Sequence, residues 1–189
     1  ISGEDPFGSS TTPTCTSDNP CGVFSVARNF QPSSNINYNL QVEQSFSSNI
    51  IAQLGYVGTS GHHLLSIIDL NQSLPNPDAV DQSSRPYYGA FPQYGNINEI
   101  QSIGNSNYNS LQATLRASNF HHLNTQLAYT WSHAFDNVTA YRGALPQDST
   151  HFKSDYGQSD FDTRNTLVGE ITYDVPGLDS HKALTGGWQ

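Results

Sequence analysis

The feature that most constrains this chain is a polar/apolar alternation of period two that returns in five separate runs. In Ile36–Phe46, Ile36, Tyr38, Leu40, Val42, Gln44 and Phe46 alternate with Asn37, Asn39, Gln41, Glu43 and Ser45. After Ser47-Ser48-Asn49 the pattern resumes as Ile50, Ala52, Leu54 and Tyr56. It recurs over Leu111–Ala117, Leu123–Phe135 and Leu167–Val175. Successive side chains of a strand point to opposite faces, so each run predicts a strand with one apolar and one polar side. The charged residues within the runs, Glu43, Arg116, Glu170 and Asp174, all fall on the polar side.

Half-buried strands of soluble sheets alternate too, so length has to discriminate. Ile36–Phe46 and Leu123–Phe135 are about twice as long as the five or six residues usual in a soluble strand. Such lengths suit a tilted strand crossing a hydrocarbon layer, which needs about 9–11 residues. No stretch approaches the roughly 18 apolar residues of a membrane-spanning helix. The connections are asymmetric: Ser47–Asn49 and Ser118–His122 are short, whereas 57–107 and 136–163 are long, polar and rich in Gly, Pro, Asn and Asp. Outer-membrane barrels place short turns in the periplasm and long loops outside. Tyr38, Phe46, Tyr56, Tyr129, Trp131, Phe135 and Tyr173 stand near the run ends, where interfacial girdles carry aromatic rings.

The expected fold is therefore all-β and antiparallel, a segment of a transmembrane outer-membrane β-barrel with short periplasmic turns and long extracellular loops. The predicted strands lie at about 36–46, 50–57, 108–117, 123–135 and 164–175, with another starting at 187–189, inside a partial barrel spanning 35–189. Residues 1–34 are predicted as an extracellular loop segment, with Cys15 and Cys21 joined as a disulfide in an oxidising compartment. Composition agrees with strands having one wet face: 35% of the 189 residues are hydrophobic, 11% aromatic and 12% charged, and there is no Met. A net charge of −9, with the basic residues scattered singly, argues against nucleic acid as a partner. Ile1 opens without Met or a basic leader, and Gly186-Gly187-Trp188-Gln189 begins a new segment; both ends suggest a fragment.

Several runs also resemble a known family. Ser106-Asn107-Tyr108-Asn109-Ser110-Leu111-Gln112-Ala113-Thr114-Leu115-Arg116, Tyr129-Thr130-Trp131-Ser132-His133-Ala134-Phe135-Asp136, Ser159-Asp160-Phe161-Asp162-Thr163-Arg164-Asn165 and Gly187-Trp188-Gln189 are similar to the barrel of Oar-like TonB-dependent receptors, outer-membrane proteins with a carboxypeptidase-regulatory-like domain. The resemblance covers about residues 35–189. It implies a piece of a barrel of roughly 22 strands around a plug, in the outer membrane of a Gram-negative bacterium. It further implies outer-membrane lipid as surroundings, and the protein's own plug domain and the TonB system as partners in substrate uptake. Residues for gating and energy coupling are then expected outside this sequence, and the substrate is not indicated. The competing expectations are a secreted β-sandwich that binds glycans or other ligands, and a small secreted hydrolase.

Candidate chemistry is sparse. Arg85, Tyr87, Tyr88, Phe91 and Tyr94 form the most ligand-like loop, because aromatic and Arg side chains are favoured contact residues. Asp155, Asp160 and Asp162 could offer oxygens to Ca²⁺, but their spacing is not that of an EF-hand, and loop hydrogen bonds and ion pairs compete as the reading. His62-His63 and His121-His122 are adjacent pairs, poor chelates on a strand. There is no G-x-S-x-G elbow and no other nucleophile signature, so no catalytic residue is expected and no cofactor is indicated.

Overall fold

The computed structural model describes residues 14–73, 82–138 and 145–175. They form seven strands: β1 (Cys21–Val26), β2 (Ser34–Ser47), β3 (Ile50–Asp69), β4 (Tyr94–Phe120), β5 (Leu123–Asp136), β6 (Gly157–Gln158) and β7 (Asn165–Tyr173). The sheet order is β2-β3-β4-β5-β6, with β1 beside β4 and β7 beside β5. The architecture is all-β. The residues divide into two compact units, one built from 14–32, 65–73, 82–103 and 145–156, the other from 33–64, 104–138 and 157–175.

In the second unit β2–β3, β4–β5 and β5–β7 pair antiparallel, with register shifts beside the short turns, between Ser45 and Ser47 and between Ala117 and Phe120. Val42 faces Leu54 and Leu40 faces Tyr56; Leu115 faces Leu127, and Tyr129 faces Leu167. Between them, Glu43 faces Gln53, Arg116 faces Gln126, and Gln126 faces Glu170. A slip of one residue would carry charge onto the apolar side, so the pattern itself fixes the register. The turns are tight. Ser47 pairs with Ile50, and the Asn49 side-chain amide donates to the Ser118 carbonyl at 2.7 Å while the Ser118 N–H donates to the Asn49 carbonyl at 2.8 Å. The two short turns are thereby tied together. Asn119, His121 and His122 take positive φ in the second turn, a conformation that Asn and His tolerate better than most.

The apolar side is not a protein core. Leu111, Leu115, Leu127 and Ile171 are 42%, 40%, 37% and 68% exposed. The buried apolar residues among those described are Ala27, Ile68, Ala117 and Phe152, and only Ala117 belongs to this unit. A β-sandwich would bury these leucines against a second sheet, so that expectation fails. Hydrocarbon is the solvent that suits such a face.

Polar atoms bound this face at one end. The Tyr38 and Tyr56 hydroxyls both donate to Asn109 Oδ1, at 3.0 and 2.6 Å, and the Tyr129 hydroxyl donates to Asn165 Oδ1 at 2.7 Å. From Tyr38 to Phe46 a strand rising ~3.3 Å per residue at ~40° tilt gains about 20 Å of height, close to the ~25 Å apolar band of such barrels. Tyr38 reaches Asn109 because its cross-strand partner is Gly58. A Cβ at Gly58 would fall within the Tyr38 ring, so only glycine leaves the aromatic room to lie across the backbone.

The strands differ from the sequence expectation in length. β3 continues to Asp69 and β4 begins at Tyr94, so much of the stretch read as a long loop from 57 to 107 is strand. The alternation ends near Tyr56 because a strand outside hydrocarbon needs no charge-free face, although its backbone still pairs. Likewise 1–34 is not loop throughout: β1 runs parallel to β4, with Val23 opposite Ile97 and Val26 opposite Ile100. The strand start expected at 187–189 lies outside the described residues.

Two pairs of substitutions test this assignment. Gly58→Ala, read by urea unfolding in lipid vesicles, should cost about 1–3 kcal/mol by overpacking against Tyr38. Gly89→Ala, where a Cβ meets nothing within 4 Å, should change little. Leu127→Arg should destabilise by about 2–4 kcal/mol if it faces lipid, and Gln126→Arg on the other side should be nearly neutral. Equal costs for this second pair would remove the lipid assignment.

Candidate functional site

The first unit is held by polar groups rather than by a large apolar core. Asp69 ends β3, and its carboxylate gathers three partners. Oδ1 accepts from the N–H groups of Asn71 and Ile97, both at 2.9 Å, and Oδ2 pairs with Arg85 Nη1 at 3.2 Å. Asn71 is fully buried. Its amide donates to the Gly95 carbonyl at 2.7 Å and the Tyr94 carbonyl at 3.3 Å, and its Oδ1 accepts from the Tyr87 N–H at 2.9 Å. Arg85 Nη1 also donates to the Asn71 carbonyl at 2.9 Å, and the Gln82 side chain donates to the Tyr94 carbonyl at 2.6 Å. A buried amide without partners would be costly, and here both of its ends are engaged.

These bonds hold the loop that carries the aromatic residues singled out from sequence. Turn bonds run from the Tyr88 N–H to Arg85, from the Phe91 N–H to Tyr87 and from the Tyr94 N–H to Phe91. The rings of Phe91 and Tyr94 lie 6.1 Å apart at 34°. Tyr87 and Phe91 stay 43% and 47% exposed. The structure thus places Arg85, Tyr87, Tyr88, Phe91 and Tyr94 on one closed loop, with Arg85 turned to Asp69. Asp69 and Asn71 went unnoticed in the sequence. The signal available was an Asp-x-Asn just past an apolar run, since Asx side chains habitually bind nearby backbone. Cys15 and Cys21 are joined as a disulfide at the start of β1.

The candidate calcium ligands are engaged separately. Asp155 accepts from the Gln147 N–H at 3.2 Å, and Asp160 is exposed. Asp162 accepts from the Ala134 N–H at 2.7 Å, pairs with Arg164 Nε at 2.7 Å and lies 3.4 Å from His133 Nδ1. Among the described residues, no group of three or more His, Cys, Asp or Glu could hold a metal ion. Ser60 Oγ lies 3.0 Å from His62 Nε2, a spacing that the two-residue period of a strand imposes.

Two carboxylates are tuned by these contacts. Burial raises Asp162, but the Ala134 amide, Arg164 and His133 outweigh it and hold the carboxyl below the ordinary range. Asp148 is lowered to about 2 by hydrogen bonds from Thr150 and His151. Depressed folded-state values mean that these contacts stabilise above the ordinary carboxylate range near ~4 and are lost as pH falls through the folded value. A carbon-13 titration should give Asp148 a midpoint of about 2, and Thr150→Val should move it upward. A wild-type midpoint at the ordinary carboxylate value would dismiss the contacts.

The second unit's polar side offers a different kind of surface. Gln53 donates to Glu43, Thr59 Oγ1 donates to Asn37 Oδ1 at 2.8 Å, and the Asn124 amide donates to Asp174 at 3.1 Å. It is a wall of amides and hydroxyls with few charges, suited to water or to a polar protein surface.

The sequence pattern of the outer membrane beta barrel domain matches residues 2–189. No curated protein sequence matches. Among solved structures, the outer membrane transporter YddB from Escherichia coli superposes with a TM-score of 0.55 at 13% identity, over 82% of this chain and 20% of that one. At that identity the likeness speaks for the fold alone, and the chain spans about a fifth of the transporter's length. With a family pattern covering nearly its whole length and an exposed, charge-free apolar face, the chain belongs to the outer membrane beta barrel domain family and resides in the outer membrane of a Gram-negative bacterium.

Proposed function

We propose that this chain is part of the barrel wall of a TonB-dependent transporter that takes up a substrate across the outer membrane. The observation that carries the reading is the pairing of the transporter-like sheet with long connections that fold into a unit of their own. A barrel that served only as an anchor would have no use for that first unit. The wet side of the strands, rich in amides, fits contact with a plug. The runs around Ser106–Arg116 and Tyr129–Asp136 support the TonB-dependent class, because they resemble that family's barrel. Long loops of outer-membrane barrels face outward, which assigns substrate capture to the loops and passage to the wet side.

The test is direct binding between the whole protein, purified in mild detergent, and the periplasmic domain of TonB from the same bacterium. Saturable binding that is lost on deleting the protein's plug domain is expected. No binding, with the barrel shown to be folded by heat-modifiable migration on gels, would overturn the TonB assignment while leaving the barrel intact.

A further inference from the structure

We propose that the loop from Gln82 to Gly95 is a preorganised shelf for a neutral oligosaccharide, with the rings of Tyr87 and Phe91 as its contact surface. This deepens the uptake reading above and rests on it for the location of the site. Three observations carry it.

The loop is built before any ligand arrives. Asn71, fully buried, holds the loop's two arms at once, through the Tyr87 N–H on one side and the Tyr94 and Gly95 carbonyls on the other. A contact surface fixed this way loses little conformational entropy when it binds.

The rings are exposed although the chain has ordered the segment that bears them. Tyr87 and Phe91 remain nearly half accessible, while the ring of Phe91 lies beside that of Tyr94. An open shelf of this kind cannot enclose a wholly apolar ligand, which needs a pocket burying most of its surface. A pyranose offers the complement: a flat C–H face for the ring and a rim of hydroxyls for neighbouring amides and hydroxyls.

Charge then selects among sugars. Arg85 is the sole charged residue between Gln82 and Gly95, and its guanidinium is committed to Asp69 and the Asn71 carbonyl. It positions the loop and does not meet the ligand. An anionic ligand would find no available cation on the shelf, and the chain's net charge of −9 opposes it further. The preference is for a neutral glycan over a uronate or a carboxylate chelate.

The experiment uses the whole protein in detergent and three probes: cellohexaose and xylohexaose as neutral oligosaccharides, and a galacturonate hexamer as the anionic one. Isothermal titration should show binding of at least one neutral probe and none, or at least tenfold weaker, of the galacturonate. Tyr87→Ala with Phe91→Ala should weaken the neutral probe at least tenfold, whereas Tyr87→Phe, which keeps the ring, should stay within about twofold of wild type. Heat-modifiable migration confirms that each variant is folded. No binding of either neutral probe, equal binding of the galacturonate, or an unchanged affinity in the double variant would overturn the proposal. Because titration needs no TonB, failure here leaves the uptake reading standing. Conversely, oligosaccharide binding by a protein that does not engage TonB would remove that reading and keep the shelf.

Discussion

Inside hydrocarbon no water is available to a backbone amide, so each N–H and C=O of a spanning strand must find its partner in the neighbouring strand. The β4–β5 ladder meets that demand without a break from Ser106↔Asp136 to Ala117↔Thr125, and β7 continues it along the other edge of β5. Once the ladder is fixed, the side chains have no further choice. Leu115, Leu127 and Gly169 line up across three strands on one side, while Arg116, Gln126 and Glu170 line up on the other. Every later property of the second unit, from its charge-free face to its wet wall, follows from that register.

The apolar face still has to end, and it does so through side chains that are amphipathic in themselves. Tyr38 and Tyr56 lay their rings against the sheet and give their hydroxyls to one oxygen of Asn109. That arrangement depends on a missing side chain, because Gly58 is what lets Tyr38 cross the backbone. Gly169 plays a similar part opposite Leu127, where a Cβ would come within 2.9 Å of Leu127 Cδ2. The glycines thus belong to the face as much as its aromatics do: they set how closely the large residues can approach.

The first unit solves a different problem with different means. Its buried apolar residues are few, and Asp69 and Asn71 stand where a soluble domain would place leucines. Long connections are polar and cannot collapse around an apolar core, so hydrogen bonds to buried carboxamide and carboxylate groups organise them instead. Such a network is strongly directional, which is why one asparagine can fix both arms of the aromatic loop. The ion pair Arg85–Asp69 belongs to this internal economy and takes away the one cation that a ligand on that loop would otherwise meet.

The sequence by itself determined the second unit closely: β2, β5 and the hairpin turns fall where alternation ends and resumes, and the apolar side is the one that Leu40, Leu115 and Leu127 mark. The reason is that hydrocarbon imposes a binary choice on every residue, and a binary choice with period two is written directly in the chain. Beyond Tyr56 that pressure is gone, so the sequence carried no sign that β3 runs on to Asp69 or that β4 starts at Tyr94. The aromatic loop was visible as a cluster of residue types, but not the direction of its arginine. Only the tertiary structure decided that Arg85 turns to Asp69 and that Asn71 closes the loop. Those bonds join residues far apart in the chain by the geometry of single donors and acceptors, and no periodicity records such pairings.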